Sequence, residues 1–170
     1  MATTWILDAY NFIRSSRRFA EWEAEDPEEG KLAAVEWLAR FAEITQFPLC
    51  LVFDAYSGLQ KNMIDKSTLG IKILESRGGY TADEEIIAMS QDLKEAAVVV
   101  SSDREIQRAV IQSGSSILGS EEFEREAAKV LKARDGDEGE DPAPRKGMAF
   151  RPPKEKKRAY QLLRSFQKIT

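Results

Sequence analysis

The chain has 170 residues, of which 42% are hydrophobic and 32% charged, with a net charge of −4, and this composition suits one ordinary domain plus a short tail. It contains no histidine, which excludes Ser-His-Asp and Cys-His triads and every metal site that needs a histidine ligand. With no apolar run near the roughly 20 residues that span a bilayer, no signal peptide and a single cysteine, we expect a cytoplasmic protein without membrane or disulfide partners.

Five short apolar runs predict the strands of a sheet. Most are continuously apolar, which is typical of parallel strands that helices cover on both faces. The run from Ile71 to Glu75 alternates instead, and predicts a shorter or half-covered strand. In chain order, the predicted strands are 3–7, 49–53, 71–75, 96–100 and 116–118.

Helical spacing of apolar residues separates most of these runs. Residues 17–30 are polar, with breakers at Asp26-Pro27 and Gly30, and predict a loop or a short helix. Strands that alternate with helices predict an α/β fold with a mostly parallel sheet. The predicted helices are 31–46, 81–94, 104–112 and 120–131.

Charge divides the chain into three parts. Residues 1–134 carry −7 and predict the folded domain, while residues 135–144 carry −5 and predict an acidic flexible linker. Residues 145–170 carry +8 and form a basic tail, in which Lys154 to Ile169 could be helical. Such a tail either grips a polyanion or only improves solubility, and composition gives the two interpretations about equal weight.

Aspartates follow three of the predicted strands. Asp8 and Asp54 come directly after strands, and Asp103 comes after a strand and two serines, while Asp83 lies in the first turn of a predicted helix. The carboxyl ends of parallel strands share one edge of a sheet, with neighbours about 4.8 Å apart, so these carboxylates should converge. Carboxylates so close together repel one another unless a cation neutralises them, and Mg²⁺ prefers oxygen ligands. The sequence therefore predicts a site for Mg²⁺ or Mn²⁺.

Each of these residues also has a structural interpretation. Ser102 to Glu105 and Thr81 to Glu84 both fit a capping box, and an aspartate in a first helical turn is stabilised by the helix dipole without any metal. Asn11 could cap a short helix, and Cys50 lies among leucines in a predicted core strand. Convergence of all four aspartates on one edge favours a functional site.

Four motifs, Ile6-Leu7-Asp8-Ala9-Tyr10-Asn11, Val52-Phe53-Asp54-Ala55, Thr81-Ala82-Asp83-Glu84 and Val100-Ser101-Ser102-Asp103, occur in this order. Together they resemble the YacP-like NYN domains, a branch of the PIN-like nucleases, over about residues 3–132. The resemblance implies a Rossmann-like three-layer α/β/α sandwich and metal-dependent endoribonuclease activity. It also implies that the catalytic site is lined by Asp8, Asn11, Asp54, Asp83 and Asp103.

The chain departs from the family pattern in three places. The stretch after Ala55 lacks the glycine and lysine crowding that is typical of the family, although Lys61 and Lys66 could serve instead. Position 9 is alanine, where the family usually has glycine, and this adds only a methyl group unless the backbone there needs a positive φ. The tail after Arg134 matches no family pattern that the motifs identify.

We expect metal-assisted hydrolysis of RNA phosphodiester bonds. Asp8 and Asp103 are the preferred metal ligands, Asp54 and Asp83 complete the site or orient water, and Asn11 positions a ligand or a phosphate. Such a site favours single-stranded or loop RNA. The alternative is an RNA- or ribosome-binding adaptor on a nuclease fold, with weak or no catalysis.

The expected partner is RNA, whether mRNA, tRNA or rRNA, free or in the ribosome. Tyr10 could stack on a base, although a core-packed ring is an equal alternative. The tail is expected to tether RNA, the alternative being that a helix around Tyr160, Leu163 and Phe166 packs onto the domain. The predicted RNA-binding residues are Tyr10, Lys61, Lys66, Lys154, Lys156, Lys157 and Arg158.

Overall fold

A parallel sheet of five strands forms the centre of the structure, a computed structural model. Its strands are β1 (Thr4–Asp8), β2 (Leu49–Phe53), β3 (Ile71–Glu75), β4 (Ala97–Val100) and β5 (Ser116–Leu118). The spatial order is β3-β2-β1-β4-β5, and every pair of neighbours runs parallel. The chain winds outward from β1 to β3 and then returns to β4. The strand order therefore reverses between β1 and β4, and this switch point is where open α/β sheets bind ligands.

The structure describes residues 2–54, 71–77, 79–135 and 152–167. Lys61, Lys66 and residues 136–144 of the predicted linker lie outside the described residues. Within the described ranges, no helix combines the length and the apolar character that crossing a membrane requires.

Helices cover both faces of the sheet. They are α1 (Ala9–Ser15), α2 (Arg17–Glu25), α3 (Pro27–Thr45), α4 (Ala82–Leu93), α5 (Arg104–Ser113), α6 (Ser120–Asp135) and α7 (Lys157–Gln167), with 3₁₀ turns at Lys94–Ala96 and Lys154–Lys156. Ile86 of α4 and Ile106 of α5 pack on one face, in a cluster that also contains the predicted core residue Cys50. The remaining α-helices lie on the other face. The predicted α/β/α sandwich is confirmed.

Aromatic side chains hold this second face together. The ring of Phe123, on α6, lies 5.7 Å from Trp5, 5.9 Å from Phe12 and 5.4 Å from Phe41, measured between centroids. All four residues are at most 1% exposed. Tilted and edge-on aromatic pairs of this kind stabilise a core beyond the area that they bury. Phe123 therefore joins α6 to β1, α1 and α3.

The prediction of a loop or short helix over residues 17–30 is wrong in its extent. Asp26 and Pro27 do not break a helix but begin one: the Asp26 carboxylate accepts hydrogen bonds from the backbone N–H of Glu28 (3.1 Å) and Glu29 (3.3 Å), and Pro27 takes the first position of α3. Gly30 lies inside α3, where a Cβ atom would come within 2.5 Å of the backbone of Glu23 on α2. Glycine at this position lets the two helices approach closely.

The C-terminal helix packs onto the domain. Ala159, Tyr160 and Leu163 of α7 belong to the main hydrophobic core and are 0%, 4% and 0% exposed. The helix and the 3₁₀ turn before it lie against α6 and β5. The packed-helix alternative, and not a free tether, therefore applies to this described part of the tail.

Polar contacts fix the same segment at two places. Lys156 Nζ lies 2.8 Å from Glu122 Oε2, and the Tyr160 hydroxyl donates to the same carboxylate. Burial opposes the charge on Glu122, but the hydrogen bonds from Lys156 and Tyr160 outweigh it and lower the pKa of the carboxyl. Arg158 donates to Thr3 Oγ1 (2.9 Å) and to the carbonyl of Glu95. Two of the bases in the tail are thus committed to contacts within the fold.

We predict that Leu163→Ala lowers the free energy of unfolding by about 2–5 kcal/mol, because it leaves a cavity in a fully buried position. Chemical denaturation followed by circular dichroism measures the change. Gln161→Ala, in the same helix but exposed, is the matched control and should change stability by less than about 0.5 kcal/mol. Equal midpoints for the two variants would mean that α7 does not contribute to the core.

Candidate active site

The four predicted aspartates all lie at the carboxyl edge of the sheet. Asp8 ends β1, Asp54 follows β2, Asp103 begins α5 after β4, and Asp83 lies in the first turn of α4. Their charges act on one another. Burial raises the pKa of Asp8 to about 6, with further contributions from the charges of Asp83 and Asp103. Partial burial and then the charges of Asp103 and Asp54 raise the pKa of Asp83.

A buried serine connects two of these aspartates. Ser101 is 1% exposed, and its hydroxyl donates to Asp8 Oδ2 (3.2 Å) and accepts from the backbone N–H of Asp103 (3.1 Å). The side-chain amide of Gln107 donates to the carbonyl of Ser101 (2.8 Å). Sequence reasoning included Ser101 in a motif but gave it no role. The signal was a hydroxyl residue between the end of a buried strand and an aspartate.

Asn11 organises a second network beside the first. Its Oδ1 accepts from the backbone N–H of Ser102 (2.9 Å) and from the hydroxyl of Ser120 (2.7 Å), and the backbone N–H of Ser120 donates to Ser102 Oγ (3.0 Å). An amide oxygen has two acceptor positions, and both are used here. Asn11 therefore joins α1, the loop after β4 and the start of α6. Its NH₂ group, and not its oxygen, is the part suited to contact a substrate.

The start of α5 differs from the predicted capping box. The N-cap is Asp103, whose Oδ1 accepts from the backbone N–H of Glu105 (2.8 Å) and Ile106 (3.3 Å). Ser102, the expected cap, accepts a hydrogen bond from Ser120 instead, so the cap moves one residue along the chain. The prediction of a capping box over residues 102–105 is therefore wrong, while the structural role of Asp103 is real.

The start of α4 does contain the predicted capping box. The backbone N–H of Glu84 donates to Thr81 Oγ1 (3.2 Å), and the backbone N–H of Thr81 donates to Glu84 Oε2 (2.8 Å). Asp54 Oδ1 accepts from the backbone N–H of Ala82 (2.7 Å), which ties the end of β2 to this helix. The contact brings the first turn of α4, with Asp83, to the carboxyl edge.

The chemistry of the four aspartate side chains suits a hard divalent cation. All the candidate ligands are carboxylates, and their mutual repulsion is what a bound cation would relieve. Within the described residues, no three acidic side chains form a group that could hold a metal ion. Mg²⁺ keeps several waters and takes only one or two carboxylates directly, so such a group is not required for it.

Tyr10 packs against the domain. Its ring meets Phe53 edge-on at 5.6 Å between centroids, and the guanidinium of Arg14 lies 5.0 Å from the ring centroid. The ammonium group of Lys31 lies 5.4 Å from the same centroid. The structure therefore surrounds this ring with protein groups on several sides.

Of the basic tail residues predicted to bind RNA, some contact the domain and others are exposed to solvent. Lys156 and Arg158 contact the domain, as described for the C-terminal helix. Lys154 and Lys157 are exposed. The structure brings none of these four into contact with the aspartates among the residues that it describes.

Two crystal structures of Rae1 (YacP) from Bacillus subtilis have a similar fold. One of them superimposes with a TM-score of 0.63 and 21% identity over 80% of this chain and 79% of that chain. The other, of a mutant, gives a TM-score of 0.60 and 21% identity over 80% of this chain and 86% of that chain. The fold and its carboxyl edge thus define an α/β protein of the same architecture.

A model of the YacP-like NYN domain family matches residues 5–165. The chain is also 25% identical to "Uncharacterized protein YacP" of Bacillus subtilis (strain 168) over 130 residues, which are 74% of this chain and 75% of that protein. This chain belongs to the YacP-like NYN domain family, whose fold is that of nucleases. The resemblance drawn from the four motifs is confirmed, and the match also includes most of α7, which the motifs did not reach.

We predict that Asp8→Asn stabilises the protein in the presence of EDTA, by on the order of 2 kcal/mol above pH 6. The folded state raises the pKa of Asp8 from 3.8 to about 6, so it binds more protons than the unfolded state between these values. Wild-type stability therefore falls as the pH rises through this window, and the variant avoids that loss. Below about pH 4 the two proteins should converge.

Thermal denaturation between pH 3.5 and 7.5 measures the difference. Asp92→Asn, which removes an exposed carboxylate on α4, is the control for a general effect of net charge. A constant difference between Asp8→Asn and wild type across the whole range would contradict the burial of a charged Asp8.

Proposed function

We propose that this protein is an endoribonuclease that hydrolyses RNA phosphodiester bonds with Mg²⁺ or Mn²⁺ at the carboxyl edge of its sheet. The observation that carries the proposal is the convergence of Asp8, Asp54, Asp83 and Asp103 on this edge, where Ser101 connects Asp8 to Asp103 and Asp54 is hydrogen-bonded to the residue before Asp83. Membership of a family with a nuclease fold supports it. Without a histidine, carboxylates and a metal ion are the natural means of hydrolysis for this chain.

The hydrogen bonds indicate which oxygens would meet a cation. Asp54 and Asp103 each use Oδ1 to accept backbone N–H groups at the start of a helix, so Oδ2 of each is the oxygen suited to a cation. Asp8 Oδ2 accepts a hydrogen bond from the Ser101 hydroxyl, and this bond orients the Asp8 carboxylate. Asp83 is exposed and would complete the site or orient a water molecule. A bound divalent cation supplies Lewis acidity, which acidifies water and offsets charge on the phosphate.

The remaining residues would position the substrate. Asn11 is held by Ser102 and Ser120, so its NH₂ group is a fixed donor suited to a phosphate oxygen. The acidic edge repels RNA phosphates, so we expect RNA to bind more tightly when a divalent cation is present.

A second candidate function is an RNA- or ribosome-binding adaptor with weak or no catalysis. It is favoured by one observation: Asp54 and Asp103 already accept backbone N–H groups at the starts of α4 and α5, so both have a structural role that needs no metal ion. In this case the aspartates would serve as caps and as structural acceptors. Binding of RNA without cleavage would identify this function.

We predict that the purified full-length protein cleaves single-stranded RNA internally with Mg²⁺ or Mn²⁺ and not with EDTA. Asp103→Asn should slow cleavage by about 100-fold or more, equivalent to about 3 kcal/mol of lost transition-state stabilisation. The fold should persist, since asparagine caps helices as well as aspartate does. Gel analysis of end-labelled RNA measures the rates.

Asp26→Asn is the matched control, because Asp26 also caps a helix, and its carboxylate accepts hydrogen bonds from Glu28 and Glu29 of that helix and is not one of the four aspartates. It should keep the wild-type rate. Cleavage that survives excess EDTA would refute the metal mechanism, and a wild-type rate for Asp103→Asn would reduce Asp103 to a structural cap.

A further inference from the structure

An exposed aromatic ring lies at the carboxyl edge, outside the set of residues considered so far. The large hydrophobic side chains exposed among the described residues are Trp22 (56%), Tyr80 (53%) and Ile111 (44%). Trp22 lies within α2, and Ile111 lies near the far end of α5. Only Tyr80 belongs to the segment that leads from the carboxyl end of a strand, β3, to the helix that carries Asp83.

Local contacts hold this ring in place. The backbone N–H of Tyr80 donates to the carbonyl of Arg77 (2.9 Å), and Gly79, which lies in a turn before Tyr80, has a φ of +85°. The guanidinium of Arg77 lies 5.1 Å from the centroid of the Tyr80 ring. Arg77 is itself fixed by Glu85, with Nε 3.1 Å from Oε2. The turn therefore presents an aromatic ring backed by a cation.

The ring is close to the aspartates along the chain. Tyr80 precedes Asp83 by three residues, so their Cα atoms are at most about 11 Å apart. The residue between Thr81 and Asp83 is Ala82, whose backbone N–H donates to Asp54. This contact ties the segment to the edge of the sheet, and the ring cannot move far from the aspartates without breaking it.

We propose that Tyr80, backed by Arg77, stacks on a base of single-stranded RNA next to the phosphate at the aspartates. The inference rests on the proposed function and adds a positioning residue to it. Aromatic rings stack on any base, and an adjacent guanidinium adds a cation–π contribution. A base is neutral, so stacking holds RNA at an edge whose charge repels phosphates. A paired base in a duplex is not available for this contact, so the pair selects unpaired RNA.

The test measures binding and stacking together. A single-stranded RNA hexamer with one 2-aminopurine is titrated with the full-length chain in Mg²⁺, and Asp103→Asn is present in every protein so that the RNA stays intact. Anisotropy gives the Kd, and quenching of 2-aminopurine fluorescence reports stacking on a ring. Three further substitutions are compared in this background: Tyr80→Ala, Tyr80→Phe and Trp22→Ala.

Tyr80→Ala should weaken binding about fivefold or more, the factor that matches about 1 kcal/mol per stacked base, and should remove the quenching. Tyr80→Phe keeps the ring and should retain both. Trp22→Ala removes an equally exposed ring on α2 and should change neither. Unchanged affinity and quenching in Tyr80→Ala, or a loss in Tyr80→Phe as large as in Tyr80→Ala, would overturn the proposal.

Cleavage of the same RNA without 2-aminopurine by the unsubstituted chain is measured in parallel. RNA that is bound and quenched through Tyr80 but never cut would refute the endonuclease and leave the stacking residue established. RNA that is cut by the unsubstituted chain, with no effect of Tyr80→Ala on binding, would refute only the role of Tyr80.

Discussion

The burial of one carboxylate, Asp8, organises the carboxyl edge. Because β1 lies in the middle of the sheet, its last residue has strands on both sides and is only 7% exposed. A charge in that position is costly unless hydrogen bonds or opposite charges compensate for it. Ser101, which directly follows the neighbouring strand β4, donates its hydroxyl to Asp8, and the same hydroxyl accepts a hydrogen bond from the backbone N–H of Asp103. The serine hydroxyl that compensates for the buried charge of Asp8 therefore also fixes the position of the Asp103 backbone.

Much of the sheet and of its acidic edge could be predicted from the sequence, since strands covered on both faces are continuously apolar and end abruptly at polar residues. The hydrogen-bond partners could not be predicted, because Ser, Thr, Asp and Asn occur equally in helix caps, turns and functional sites. Asp26-Pro27 reads as a break and begins a helix, and the cap expected at Ser102 is formed by Asp103. Ser102 does not cap α5 because its hydroxyl accepts a hydrogen bond from Ser120, and this contact between residues distant in sequence could not be predicted.

In the C-terminal helix, the net charge of the segment does not reveal the apolar residues that lie on one face. The net charge of the tail suggested a segment that either binds a polyanion or is only solvated, whereas Ala159, Tyr160 and Leu163 recur at helical spacing and form a buried stripe within it. Lys156 forms a salt bridge with Glu122 of α6. Composition gives the sum of the charges, whereas packing depends on which face of the helix carries them.

The same helix has a consequence for the border of the sheet. β5 is the last strand on its side, and the turn at Lys154–Lys156 and α7 lie beside it. An unprotected outer strand presents free backbone donors and acceptors that can pair with another polypeptide. The turn and the helix therefore lie where another polypeptide would approach β5, and we expect a chain that ended before them to self-associate more readily.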